Sequence, residues 1–244
     1  MFYLYYHGVI ENYCKEDSES TPQDVHYTGY AFSEDGINFI TPELNIIDLG
    51  EPFIAPKDNL DPYGRTITVS TLRPDASYLR IFKLGDYLYG IYKSWAKTYL
   101  ARSMDGINWE SWPHNPLIQI KEGEEFSLIR HTGVLVYENF ADIYYSTFED
   151  ENENKEVIKL ARLKTEGDWE NWSIIKVGKV LDATDAWENN NLRDPFPFRH
   201  DDKIYLFYSG GLEKAIGLAI ADDAVFECLN TSKPCKLIQE NIRN

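Results

Sequence analysis

Ile204-Tyr205-Leu206-Phe207-Tyr208-Ser209, followed by Leu218-Ala219-Ile220-Ala221, is the fourth copy of a pattern that decides the fold. The other aromatic copies are Tyr3-Leu4-Tyr5-Tyr6-His7, Tyr89-Gly90-Ile91-Tyr92-Lys93-Ser94 and Asp142-Ile143-Tyr144-Tyr145-Ser146. Each leads to a segment built around alanine: Tyr30-Ala31-Phe32-Ser33, Leu100-Ala101-Arg102-Ser103 and Leu160-Ala161-Arg162-Leu163. The four alanines are 70, 60 and 58 residues apart. Strand-type segments recurring near 60 residues, with no helical periodicity between them, predict a β-propeller in which each four-stranded blade is one repeat. The expectation is an all-β single domain over 1–244, with repeats at about 1–48, 52–112, 115–172 and 175–230.

Turn chemistry fits this frame. Asp35-Gly36-Ile37-Asn38-Phe39 and Asp105-Gly106-Ile107-Asn108-Trp109 follow the alanine segments of the first two repeats at equal offsets, and Glu166-Gly167-Asp168-Trp169 takes that place in the third. Asp-Gly favours a hairpin because glycine accepts positive φ without a Cβ clash. These turns are read as structural, joining the third and outermost strands, and the acidic run from Glu149 to Lys155 as a solvated hairpin loop.

Upstream of each aromatic segment lies a candidate innermost strand, and in three of them an arginine precedes the closing serine. Arg80, Arg130 and Arg193 stand 14, 16 and 16 residues before Ser94, Ser146 and Ser209. In a propeller such strand entrances ring one mouth of the central channel, so the three arginines are expected there together. Because His7 aligns with the serines, the first repeat's innermost strand is expected before Met1, and an N-terminal blade is expected to be missing. Cys235-Lys236-Leu237-Ile238 is a candidate closure, and Val225 to Leu229 a candidate outer strand for the last blade.

Composition narrows the function. The 244 residues carry 24 Lys+Arg against 40 Asp+Glu, a formal charge of −16. Nucleic-acid grooves and anionic bilayers both need clustered cations, so neither is expected as a partner. Apolar residues make up 43%, enough for a core, and the 17 Tyr, 12 Phe and 6 Trp favour β structure and sugar-stacking surfaces. Cys14, Cys228 and Cys235 lack metal-ligand spacing and fit reduced thiols of a cytoplasmic protein, a Cys228–Cys235 bridge being the other reading. No secretory leader or membrane-spanning run is read in the chain.

Asn191-Leu192-Arg193-Asp194-Pro195-Phe196, then Lys203 to Ser209 and Gly210-Gly211-Leu212-Glu213, resembles the five-bladed propellers of glycoside hydrolase families 43, 32 and 68 (arabinanase, levansucrase and invertase-like), most of all a bacterial branch of that superfamily. The resemblance also takes in Tyr78 to Phe82, Arg130-His131 and Gly29 to Gly36. It implies a carbohydrate-active, glycosidase-like protein, with a non-catalytic glycan binder or an inactive truncated propeller as the alternative. In the characterised families the first blade carries the base or nucleophile aspartate, a position this chain does not show. By resemblance, Asp194 holds sugar hydroxyls or tunes a neighbouring acid, its aim fixed by Pro195. Glu213, in a glycine-rich turn, is the candidate general acid of a carboxylate pair. Arg80, Arg130 and Arg193 offer guanidinium forks that suit an anionic saccharide better than a neutral one. His131 could polarise a substrate. Trp95 and Trp187 offer faces for pyranose stacking. No cofactor and no metal are called for.

Overall fold

A computed structural model describes residues 1–13, 23–42, 47, 49, 76–94, 97–119, 129–150 and 155–222. Trp95, the three cysteines, the candidate outer strand after Val225 and the candidate closure at Cys235 lie outside the described residues. The architecture is all-β. Among the described residues helical structure is limited to two single 3₁₀ turns, Trp169–Asn171 and Ala186–Glu188, and no helix is long and apolar enough to cross a membrane.

Two compact units divide the chain, Met1–Gln119 and Ile120–Asn244. The first holds β1 (Phe2–Tyr13) paired with β2 (Gln23–Ser33), and a sheet ordered β3 (Ser77–Leu84), β4 (Tyr87–Ser94), β5 (Lys97–Ser103), β6 (Glu110–Ser111). The second holds a sheet of β7 (Ile129–Val136), β8 (Phe140–Asp150), β9 (Lys155–Lys164) and β10 (Ser173–Leu181), and another of β11 (Leu192–His200), β12 (Lys203–Gly210) and β13 (Ala215–Asp222). All pairings are antiparallel between sequence neighbours, the meander of a propeller blade.

The repeat holds at the level of single residues. Leu4 faces Ala31, Gly90 faces Ala101, Ile143 faces Ala161 and Leu206 faces Ala219. The first three alanines are buried, so a larger side chain there has no room without repacking. Among the described residues β1 pairs with β2 alone, while Ile40 bridges to Phe32 where a further strand stands in the second and third repeats.

Both Asp-Gly turns are the same object. Oδ1 of Asp35 accepts from the backbone N–H groups of Ile37 and Asn38, both at 2.8 Å, and Oδ1 of Asp105 accepts from Ile107 and Asn108 at the same distances. Gly36 and Gly106 take φ of 75° and 79°, which glycine adopts without strain. The second of these turns leads from β5 to β6.

Each unit has its own core. In the first, Tyr30, Leu79, Tyr92 and Ala101 pack with Ile47 and Leu49. In the second, Tyr144, Ile158, Leu160 and Leu181 pack against Leu192, Ile204, Leu206 and Tyr208, joining the two sheets. Each such fully buried Leu or Ile contributes about 1.5–3 kcal/mol. β11 lies close on β7 because residue 133 is glycine. A Cβ there would stand 2.0 Å from the Pro195 carbonyl oxygen, so the strands could not approach as they do.

Candidate functional site

In the second unit, β7 and β11 both depart from regular pairing near their starts. The register slips by one residue between Ile129 and Thr132, and again between Arg193 and Phe196. The first bulge holds Arg130 and His131, the second Asp194 and Pro195. A β-bulge turns a side chain away from the direction the ladder would give it. Asp194 takes φ of 49°, a left-handed conformation that costs a residue bearing a Cβ roughly 1–2 kcal/mol, though Asp and Asn bear it best.

The Asp194 carboxylate has a close neighbour at each oxygen, an imidazole nitrogen at one and a hydroxyl donor at the other. Nδ1 of the buried His131 lies 2.6 Å from Oδ1, and Ser209 Oγ donates to Oδ2 at 2.8 Å. Its side chain is still 38% exposed.

Beneath it lies Glu156, on β9, with no exposed surface. One of its oxygens stands 2.5 Å from Arg130 Nε, and the other accepts from Asn191 Nδ2 and Arg193 Nε. Burying a carboxylate is costly unless it is paired and hydrogen-bonded, and here Asn191 and Arg193 donate to one oxygen while Arg130 pairs in charge with the other. Arg193 reaches outward as well, donating from Nη1 to Glu213 Oε1 at 3.0 Å. Glu213 ends a turn in which Gly211, Leu212 and Glu213 are all left-handed, at 63°, 60° and 65°. The turn is tied down by Gly211 N–H to the Glu188 carbonyl at 2.9 Å and by Leu212 N–H to Asn191 Oδ1 at 3.2 Å.

Trp187 flanks the same turn. Its ring stacks on Tyr208 at 6.0 Å and covers Gly210, where a Cβ would stand 2.6 Å from the indole. The Tyr208 hydroxyl donates to the buried Glu188 at 2.6 Å, and burial, followed by this carboxylate, pushes its pKa far up. Tyr208 is therefore a fixed wall, protonated at every ordinary pH.

The expected site residues thus fall into separate groups. His131, Asp194 and Glu213 each bring one ligand-type atom within 4.8 Å of the other two. Arg130 and Arg193 meet on Glu156, and Trp187 stands beside the Glu213 turn. Arg80 lies on β3 of the first unit, opposite Ile91. His7 is in that unit too, stacked on His26 at 4.8 Å and tilted against Tyr78 at 4.6 Å. His131, Asp194 and Glu213 have donor types suited to a cation, but Arg193 on Glu213 and Arg130 on the adjoining Glu156 oppose a dication. Two guanidiniums face three carboxylates here, so the cluster carries no excess of positive charge.

Sequence reasoning passed over Glu156, Asn191 and Ser209 as site residues. Ser209 and Asn191 sit inside quoted motifs. For Glu156 the signal was an acid at the head of the strand Lys155-Glu156-Val157-Ile158, where the side chain turned out to be fully buried.

No protein-family model matches the chain, and no curated protein matches it. Solved structures do. A Bombyx mori GH32 beta-fructofuranosidase variant in complex with sucrose aligns over 98% of this chain and 46% of its own, with 15% identity and a TM-score of 0.53. A family 117 glycoside hydrolase from Zobellia galactanivorans aligns over 81% of this chain and 60% of its own, at 16% identity and 0.51. Beta-1,2-mannobiose phosphorylase from Listeria innocua aligns over 88% and 72%, at 16% and 0.51. This chain spans about half the length of the fructofuranosidase. At such identities the likeness is one of fold: the chain has the β-propeller fold of the glycosidase type, with four recognisable blade sheets.

Proposed function

We propose that the protein is carbohydrate-active and that a saccharide binds at the entrances of β7 and β11, on Asp194. The observation that carries this reading is the Asp194 carboxylate itself. It is held in a left-handed bulge by His131 and Ser209, kept partly open, and placed within 4.8 Å of the Glu213 carboxylate. A fixed carboxylate accepts from vicinal sugar hydroxyls, and Trp187 offers an exposed aromatic surface beside it for a pyranose face. The fold is shared with proteins whose names describe action on glycosides and with one solved with sucrose.

In the hydrolytic form of this reading, Asp194 and Glu213 are the paired carboxylates. Glu213 must then leave Arg193 before it can act as an acid, since a carboxylate accepting from a guanidinium has no proton to give. That same ion pair favours the second reading, a propeller that binds glycans without cleaving them. In either form Arg130 and Arg193 contribute to binding, and an acidic saccharide finds guanidiniums already in place.

A glycan array with parallel hydrolysis assays on wild type and Asp194→Asn tests the proposal. Binding by wild type that falls roughly 10- to 100-fold in the variant, the worth of one or two hydrogen bonds to a charged group, is expected. Equal binding by the two proteins would remove Asp194 from the site. Turnover by wild type, absent in Asp194→Asn, selects the hydrolase over the binder.

A further inference from the structure

We infer that Glu213 is the specificity-determining residue of this site, an internal substitute for the carboxylate of an acidic saccharide, with which it competes for Arg193. The inference rests on the saccharide reading above and concerns which sugars the site prefers.

Arg193 is fixed from within. Its Nε is held by the buried Glu156, so the guanidinium keeps its place whatever occupies its outer edge. That edge donates from Nη1 to Glu213 Oε1 at 3.0 Å. Glu213 is held differently, with its side chain half exposed. Its backbone is one of three consecutive left-handed residues, and neither Leu212 nor Glu213 has glycine's freedom there. Two backbone hydrogen bonds, from Gly211 and Leu212, secure the turn without help from the Glu213 side chain. The carboxylate can therefore swing away while the turn and Arg193 both stay.

What can displace it follows from hydrogen-bond strength. A guanidinium holds a carboxylate more strongly than a neutral acceptor, because opposite charge and bidentate geometry add to the hydrogen bond. A neutral sugar hydroxyl does not dislodge Glu213, whereas the carboxylate of a uronic acid offers the same acceptor geometry and can take its place. Glu213 thus screens Arg193 from neutral hydroxyls and lowers affinity for acidic sugars by the cost of the exchange. Removing its charge leaves Arg193 in place with an open edge.

The test measures affinity for matched pairs of neutral and uronate-bearing glycans, in wild type, Glu213→Gln and Glu213→Ala, with near-ultraviolet circular dichroism confirming the fold. Both variants are expected to bind uronate-bearing glycans roughly tenfold more tightly than wild type does, the size of one charge-assisted hydrogen bond. Uronate-bearing glycans should gain relative to their neutral partners in both variants, and added salt should erase that difference. An unchanged or reduced uronate preference in both variants, with saccharide binding intact in wild type, overturns this inference and leaves the saccharide reading standing. Absence of glycan binding by wild type and both variants overturns the two together.

Discussion

In β3 one extra residue falls between Ser77 and Arg80, and Tyr78 takes φ of 55°. In β11 the same insertion falls between Arg193 and Phe196, and Asp194 takes φ of 49°. The backbone irregularity is shared, but its contents differ. Tyr78 packs its ring on His7 at 4.6 Å, with the Lys93 ammonium 5.8 Å above it. Asp194 instead presents a carboxylate fixed by His131 and Ser209 and half open to solvent. A bulge at a strand entrance is thus a feature of the repeat, and the residue placed in it decides whether the entrance presents a packed ring or a carboxylate. Left-handed strain at a non-glycine position is a fair pointer to function only when the side chain it aims has a reactive group to offer.

The largest expected effect comes from the support beneath the binding entrance. Glu156→Gln leaves Arg130 and Arg193 without their shared buried counter-ion, and urea unfolding should show a loss of about 3–5 kcal/mol. A loss under about 1 kcal/mol would mean that the arginines find other partners and that β11 does not depend on Glu156. Next, Gly133→Ala drives a methyl into the Pro195 carbonyl, a backbone atom that cannot rotate away. A destabilisation of roughly 1–3 kcal/mol is expected, with Asp194 displaced and saccharide affinity lowered with it.

A pair of substitutions sharpens the contrast directly. Tyr78→Asn removes an aromatic contact and should cost about 1 kcal/mol of stability without changing saccharide affinity. Asp194→Asn, where the amide tolerates left-handed φ equally well, should leave the melting temperature nearly unchanged and weaken binding roughly 10- to 100-fold. If both variants behave alike, the two bulges do the same job and the distinction fails.

The smallest effect is a pH dependence far from either bulge. Asp105 is held well below the usual carboxylate range, first by the Asn108 backbone N–H, with Ile107 and the side chains of Asn108 and Ser103 adding to it against a desolvation cost. A carboxyl whose folded pKa is depressed adds stability that is present above its unfolded value, near 3.9, and is lost as pH falls through the folded value. Asp105→Asn should therefore be less stable than wild type by about 1 kcal/mol at neutral pH, as for a lost cap, and the gap should close below about pH 4. A gap independent of pH would assign the turn's stability to shape rather than charge.

Much of this was legible in the sequence. The alternation of aromatic and small residues fixes which face of each strand is buried, so the four Ala pairings and the Asp-Gly turns follow from periodicity and turn chemistry alone. The Arg193-Asp194-Pro195 motif located the entrance. Three things were not legible, each for a physical reason. A bulge leaves no compositional trace: Ser77, Ile129 and Arg193 open equivalent irregularities with unrelated side chains. It also breaks simple counting, so that Arg193 precedes its bulge, Arg130 lies within its own and Arg80 closes one. Glu156 stands 37 residues from Arg193, and the parallel bridge of Glu156 to Asn191 and the core shared by their two sheets bring them together.

The most direct test of the central claim is a residue-level map of saccharide binding in solution. A glycan drawn from the array is titrated into isotope-labelled protein while the His131 imidazole, the Ser209 and Asp194 amides and the Gly211–Glu213 amides are followed by NMR. The account predicts that these resonances shift together and saturate with a single dissociation constant, and that Asp194→Asn raises that constant roughly 10- to 100-fold. Saturating saccharide that leaves the His131, Ser209 and Asp194 resonances unmoved would contradict it.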